Sequence, residues 1–257
     1  MNAGSSHMSV LGRYVVFAYG LVSYAVFLVA FLYSIGFVGN FVVPKSIDSG
    51  DTTQAAMALL IDILLLAGFA LQHSIMARPA FKKWWTQFIP SAAERSTYVL
   101  LTSLWLLLLF WLWEPLTTPI WQIENTVVAS LLHALFWLGW LIVFVGTFLI
   151  DHFELFGLKQ VYWNLRGNEM PFTSFKTPLL YRFIRHPIML GFVIAFWAAP
   201  SMSLGHLLFA VLTTAYIVVA IQLEERDLVA YHGEAYKAYQ RDTSMLIPLP
   251  RIRSSRR

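Results

Sequence analysis

Four long apolar runs set the first limit on what this chain can become. They cover residues 14–38, 54–76, 97–113 and 126–150. A helix needs about 20 predominantly apolar residues to cross the hydrocarbon core of a bilayer. The third run is short, but its Trp105, Trp111 and Trp113 suit the aromatic belt at a membrane surface. Composition agrees: 58% of the chain is hydrophobic and 12% is charged, about half the charge of an ordinary soluble domain. A soluble globule of 257 residues could not hide that aliphatic surface together with 10 Trp, 11 Tyr and 20 Phe, so disorder and an ordinary soluble enzyme are excluded. With no cysteine present, disulfides, thiolate metal ligands and cysteine nucleophiles are excluded too.

A further apolar stretch covers residues 187–223, interrupted between Ala199 and Gly205 by a segment that includes Pro200. Proline and glycine together stop a helix. The spacing predicts a helical hairpin with a short arm at 187–199 and a longer one at 206–223. The expected fold is therefore all-α: a polytopic helical membrane protein of four transmembrane helices plus a C-terminal hairpin, five to six membrane segments in one domain. Residues 14–150 form the membrane region, and 151–257 a loop, the hairpin and a tail. With these boundaries Lys45 is the one basic residue of 18 on its side of the membrane; Arg13, the loops at 78–95 and 159–185 and the tail carry the rest. The positive-inside rule puts both termini and both basic loops in the cytoplasm of a bacterial inner membrane. The net charge of +4 then reports orientation, not nucleic-acid binding. Residues 1–8 are short and polar, read as partly an expression scar, and do not resemble a cleaved signal peptide.

The polar residues that matter gather at the cytoplasmic helix ends. His73 closes the second helix; Asp151, His152 and Glu154 close the fourth. Arg185 and His186 open the hairpin, while Glu224, Glu225, Arg226 and Asp227 close it. A hairpin brings its two ends together, so Arg185-His186 and Glu224-Glu225 are expected to be neighbours. Charges at helix ends often only mark the membrane boundary. Paired acids at a helix C-terminus oppose the helix dipole, however, and call for a cationic partner. Asp62, His133 and His206 are read as structural. No compact ligand spacing such as H-E-x-x-H occurs, so no metal site is expected.

The segment from Pro178 to Gly191, PLLYRFIRHPIMLG, resembles the R-H-P-x-Y-x-G motif of integral-membrane methyltransferases. QLEERDL from Gln222, with YHGEAYKAY from Tyr231, resembles their second motif of paired Glu, Gly and two spaced Tyr. Together they mark the isoprenylcysteine carboxyl methyltransferase and phospholipid methyltransferase superfamily. LQHSIMAR from Leu71 and the segment 147–161 are similar to its methanethiol S-methyltransferase branch, related to the NnrU-type membrane proteins. One position departs: the superfamily tyrosine of R-H-P-x-Y is Met189 here, so a role for its hydroxyl is lost or moved to Tyr181.

The resemblance implies binding of S-adenosyl-L-methionine by Tyr181, Arg185, His186, Pro187, Met189 (through its backbone), Gly191, Glu224, Glu225, Tyr236 and Tyr239. It implies methylation of a small apolar thiol, methanethiol, to dimethyl sulfide at the cytoplasmic face. A free thiol is mostly protonated at neutral pH, and the thiolate is the nucleophile, so a general base helps. His73, Asp151 and His152 are the candidates for that base. The rivals are carboxyl or amine methylation of a lipid, and a non-enzymatic NnrU-like transport protein. Membrane lipid is the expected surrounding partner, and the sequence leaves the oligomeric state open.

Overall fold

The computed structural model describes residues 8–51, 53–171 and 176–248. The polar start before Met8, and Arg251, Arg253, Arg256 and Arg257 of the basic tail, lie outside the described residues. Five helices are long and apolar enough to cross a membrane: α1 (Val10–Gly39), α2 (Ala55–Ala77), α4 (Ser91–Leu112), α5 (Thr126–Ile150) and α9 (Leu204–His232). Five shorter helices connect or extend them: α3 (Pro79–Trp85), α6 (His152–Leu155), α7 (Leu158–Leu165), α8 (Pro187–Trp197) and α10 (Glu234–Asp242). Two short strands, β1 (Pro119–Gln122) and β2 (Ser201–Ser203), pair antiparallel. The chain is an all-α integral membrane protein with this one small ladder added.

Local chemistry sets the ends of these helices. The side chains of Ser9, Asn125 and Ser203 accept backbone N–H groups that open α1, α5 and α9, which satisfies donors that a helix start leaves free. α5 has the bounds expected from the sequence. α4 begins six residues before the expected Thr97, because the polar turn that holds Glu94 and Arg95 is already helical.

α9 corrects a sequence expectation. Glu224 to Asp227 do not close the helix; it continues to His232. Arg78, at the end of α2, donates to the Leu223 carbonyl at 3.2 Å and pairs with Asp227 at 2.9 Å. These contacts carry the helix past the charged stretch, and it ends at Gly233, whose φ of 59° suits glycine.

The short arm of the hairpin runs from one end of the bundle to the other. α8 has 11 residues, a rise of about 16 Å, and residues 198–203 extend its reach. β2 then pairs with β1, which follows the far end of α4. The chain therefore makes six passes. The start of α1 packs on α7, and α10 packs beside the start of α8 through Arg185, so both lie at one end of the bundle.

Around the bundle α1 packs on α4, α4 on α2, α2 on α9, α9 on α8 and α8 on α5. Phe37, Leu109, Phe110, Trp113, Phe136, Trp140, Phe196 and Phe209 form the core at the far end. Exposed Leu60, Leu64, Leu131 and Leu138 form part of the lipid-facing surface. Asp62 is fully buried, and its Oδ1 accepts the Glu114 backbone N–H at 2.9 Å, a structural task that ties α2 to the end of α4.

Candidate active site

The two adjacent glutamates of α9 point about 100° apart and meet different neighbours. Glu225 faces the start of α8 and α10. Its Oε1 accepts from Arg185 Nε at 2.6 Å and His186 Nε2 at 3.1 Å, and its Oε2 accepts from Gln240 Nε2 at 2.8 Å. Arg185 Nη1 also donates to the carbonyls of Gln240 and Thr243. The Arg185 and His186 backbones donate to Ser244 and Met245. The Tyr239 hydroxyl donates to the Tyr181 carbonyl, and the Tyr181 hydroxyl to the Gly146 carbonyl at 3.4 Å. These bonds form a frame in which Arg185 and Glu225 side chains retain only 8% and 14% exposure. Burial raises the Tyr181 and Tyr236 phenols and pushes Tyr239 up to about 12, so all three stay protonated.

Glu224 turns toward α2 and α4 and shares His186 with Glu225. It pairs with His186, whose Nδ1 lies 3.6 Å from Oε2, and its side chain is 47% exposed. The charges of Arg78 and Arg95 act on it. The phenols of Tyr98, Tyr181, Tyr216 and Tyr236 all lie within its electrostatic reach. His73, on the last turns of α2, belongs to the same chamber. The Tyr98 hydroxyl sits 2.8 Å from His73 Nε2, and Thr102 Oγ1 sits 3.3 Å from Nδ1. Phe69 stacks on the imidazole at 5.3 Å and Tyr216 meets it edge-on at 6.4 Å. Ser74 donates to the Tyr216 hydroxyl at 3.2 Å, which holds α9 against α2 here. Tyr98 and Tyr216 contact His73 directly, and the charge of Glu224 reaches both phenols.

Asp151 and His152 lie on another side of the bundle. Asp151 takes a φ of 117° at the break between α5 and α6, caps α6 through the Glu154 N–H and pairs with Lys159. Buried His152 bonds Tyr24 through Nε2 at 2.7 Å and Thr147 through Nδ1 at 2.9 Å, and stacks on Phe148 at 4.2 Å. Burial holds its imidazole below the usual histidine range, with Asp151 opposing in part. Among the described residues, no hydrogen bond, ion pair or ring contact joins either residue to His73 or Glu224.

Two residues of the R-H-P motif, Pro187 and Gly191, have places in the helix itself. Pro187 is buried at the first turn of α8, where proline is well tolerated. A Cβ at Gly191 would stand 2.6 Å from the Gly139 carbonyl of α5, so this glycine permits close helix packing. Met189 is half-buried on α8. Among the described residues, no group of three or more acidic or histidine side chains is placed to hold a metal ion.

The sequence reading missed Arg78, Arg95, Tyr98, Thr102 and Tyr216 in this chamber. Arg95 and Tyr98 are three residues apart on α4 and therefore share a face, the one available signal. The sequence boundary at 97 left Arg95 in a loop and concealed it.

Comparison with known proteins converges on one group. Methanethiol S-methyltransferase 2 of Bradyrhizobium diazoefficiens is 58% identical over 236 residues, 92% of this chain and 91% of that protein. This chain belongs to the methanethiol S-methyltransferase family. The Mycobacterium tuberculosis member of the family is 54% identical over 238 residues, 93% of this chain and 98% of its own length. Nurim of Mus musculus is a more distant relative, 35% identical over 182 residues, 66% of this chain and 68% of that protein. No family model matches the chain, and no solved structure matches it. Membership makes this protein a membrane-embedded thiol S-methyltransferase, and the superfamily resemblance of its C-terminal motifs holds.

Proposed function

We propose that this chain methylates methanethiol to dimethyl sulfide with S-adenosylmethionine as donor, at the cytoplasmic face of a bacterial inner membrane. The observation that carries the reading is a carboxylate with no short ion pair, Glu224, gathered with His73 around Tyr98 and Tyr216. The residues present fit the donor. It is cationic at sulfur and zwitterionic at its amino-acid head, and the chamber offers a carboxylate, guanidinium groups and aromatic rings. Glu224 would hold the amine or the ribose hydroxyls, and Tyr181 and Tyr236 would face its aromatic or cationic parts. Arg185, His186, Glu225 and Tyr239 form the frame that fixes Glu224 in place. Gly191, Pro187 and Met189 set the position of α8 beneath that frame.

When bound, S-adenosylmethionine supplies an activated methyl group on its sulfonium. The chain must orient it, admit a small thiol and take the thiol proton; alignment supplies much of the rate. His73 is proposed as the base. Its imidazole receives the S–H proton and leaves a thiolate against the walls formed by Phe69, Tyr98 and Tyr216. Those apolar walls exclude water from a nucleophile that is stronger when desolvated. Asp151 and His152 are proposed to hold the turn between α5 and α6. The cytoplasmic placement rests on the basic residues of α3, α7 and α10 at the end of the bundle where the chamber opens. Methanethiol, small and apolar, reaches the chamber from the bilayer.

Headspace gas chromatography on purified protein with S-adenosylmethionine and methanethiol tests this. Dimethyl sulfide is expected, with the rate lowered about 100-fold or more in His73→Ala while donor binding persists. No dimethyl sulfide from folded protein removes the reaction, and an unchanged rate in His73→Ala removes the base.

A further inference from the structure

Two arginines, Arg78 and Arg95, act on Glu224 and a third, Arg185, holds its neighbour Glu225; two of the three are already committed. Arg185 is bound to Glu225 and to two backbone carbonyls. Arg78 is bound to Asp227, the Leu223 carbonyl and the Ser74 carbonyl. Arg95 differs. Among the described residues its guanidinium makes no ion pair and no hydrogen bond; its carbon lies 5.7 Å from the centre of the Tyr98 ring. The residue is half-buried, and its charge acts on His73, Tyr98 and Glu224. Lys82 of α3 lies within reach of the same guanidinium, half-buried and also without an acidic partner bound to its ammonium group among the described residues. Burial and the Arg95 charge hold this lysine below the usual range.

A half-buried guanidinium with no ion pair or hydrogen bond of its own is costly unless an anion arrives to take those bonds. We propose that Arg95, with Lys82 behind it, is the anion-binding end of the donor site and takes the α-carboxylate of the donor's amino-acid head. This rests on the reading of S-adenosylmethionine as donor and deepens it. Glu224 then takes the ammonium of the same head group, so the zwitterion is matched by one cation from α4 and one anion from α9. The donor becomes the link between two helices that the motif residues alone do not join. Arg185, which the resemblance offers for the carboxylate, is left to its frame. Arginine suits the task because its fork donates two parallel hydrogen bonds to a carboxylate.

Isothermal titration of the purified full chain in detergent tests this with two donors. One is S-adenosylmethionine. The other is its decarboxylated form, which keeps the sulfonium, amine and adenosine and lacks only the carboxylate. The unaltered protein is expected to bind S-adenosylmethionine about ten- to hundredfold more tightly than the decarboxylated form. Arg95→Gln is expected to lose that preference by weakening S-adenosylmethionine alone, and Arg95→Lys to recover part of it. Equal affinity of the unaltered protein for both donors overturns the proposal, as does an equal loss for both in Arg95→Gln. Binding of neither donor overturns the donor reading itself, and the proposal with it. The comparison of donors on the unaltered protein needs no variant, so a folding defect in Arg95→Gln leaves it decisive.

Discussion

Glu224 and Glu225 are adjacent in sequence and differ in environment, and exchanging either carboxylate for an amide separates their tasks. Glu225 receives three side-chain hydrogen bonds, and its partner Arg185 is 8% exposed. Converting it to glutamine leaves a guanidinium in a nearly dry site with its counter-charge gone. Breaking a buried pair this way costs about 3 kcal/mol, and thermal melting in detergent is expected to fall by several degrees with no donor present. Glu224 has one long contact to His186 and a side chain 47% exposed. Glu224→Gln is expected to melt within about a degree of the unaltered protein, since exposed charges contribute little to stability. Its defect is expected in ligand response: S-adenosylmethionine, as the proposed donor, is expected to raise the melting temperature of the unaltered protein by mass action and to do so less in Glu224→Gln. Matching behaviour of the two variants in both measurements would remove the division between frame and ligand.

The elements show why parts of this arrangement were legible in sequence and parts were not. α5 could be read to its ends because Asn125 and Asp151 bracket an uninterrupted apolar run. The meeting of Arg185 and His186 with the Glu pair followed from the hairpin alone. The end of α9 did not, because Glu224 to Asp227 look like a membrane boundary unless Arg78 is known to lie alongside. The β1–β2 ladder and the chamber wall from α4 depend on contacts between distant segments, to which local pattern is blind. The seam between α5 and α8 is legible only in part: glycines at 139, 146 and 191 read as small residues, and only packing shows that Gly139 and Gly191 face each other while Gly146 meets Ile188. A Cβ on Gly191 would meet the Gly139 carbonyl at 2.6 Å and Val143 at 2.9 Å. Backbone cannot give way as a side-chain tip can, so Gly191→Ala is expected to push α8 outward at a cost of about 1–3 kcal/mol. His186 and Arg185 precede that helix directly. The expected result is a lower melting temperature together with weaker donor binding, measured on the same preparation; an unchanged melt would show that the two helices are less closely joined than the seam indicates.

For the whole molecule, the number of passes decides on which side the chemistry takes place. Five apolar helices alone would leave the tail opposite the start of α1. The extended segment after α8, pinned to β1 by the ladder, adds a sixth pass and returns α9 and α10 to the end that holds α3 and α7. Charge follows the same division: among the described residues the far end carries Lys45 with Asp48, Asp51, Glu114 and Glu124, while α3, α7 and α10 carry the basic residues. A lysine- and arginine-rich end is expected to remain in the cytoplasm, and the proposed orientation puts His73, Glu224 and Arg95 within reach of a soluble, charged donor. The absence of cysteine makes this directly measurable. Glu124 is exposed in the connection between β1 and α5, and Glu169 is exposed beyond α7. In intact spheroplasts a membrane-impermeant maleimide is expected to label Glu124→Cys and spare Glu169→Cys, and in inverted vesicles to do the reverse. Labelling of both from one side would contradict the crossing order itself. A complete reversal would keep the six passes and turn the chamber outward, away from the donor supply, and the proposed reaction would then lack its co-substrate on the side where its site opens.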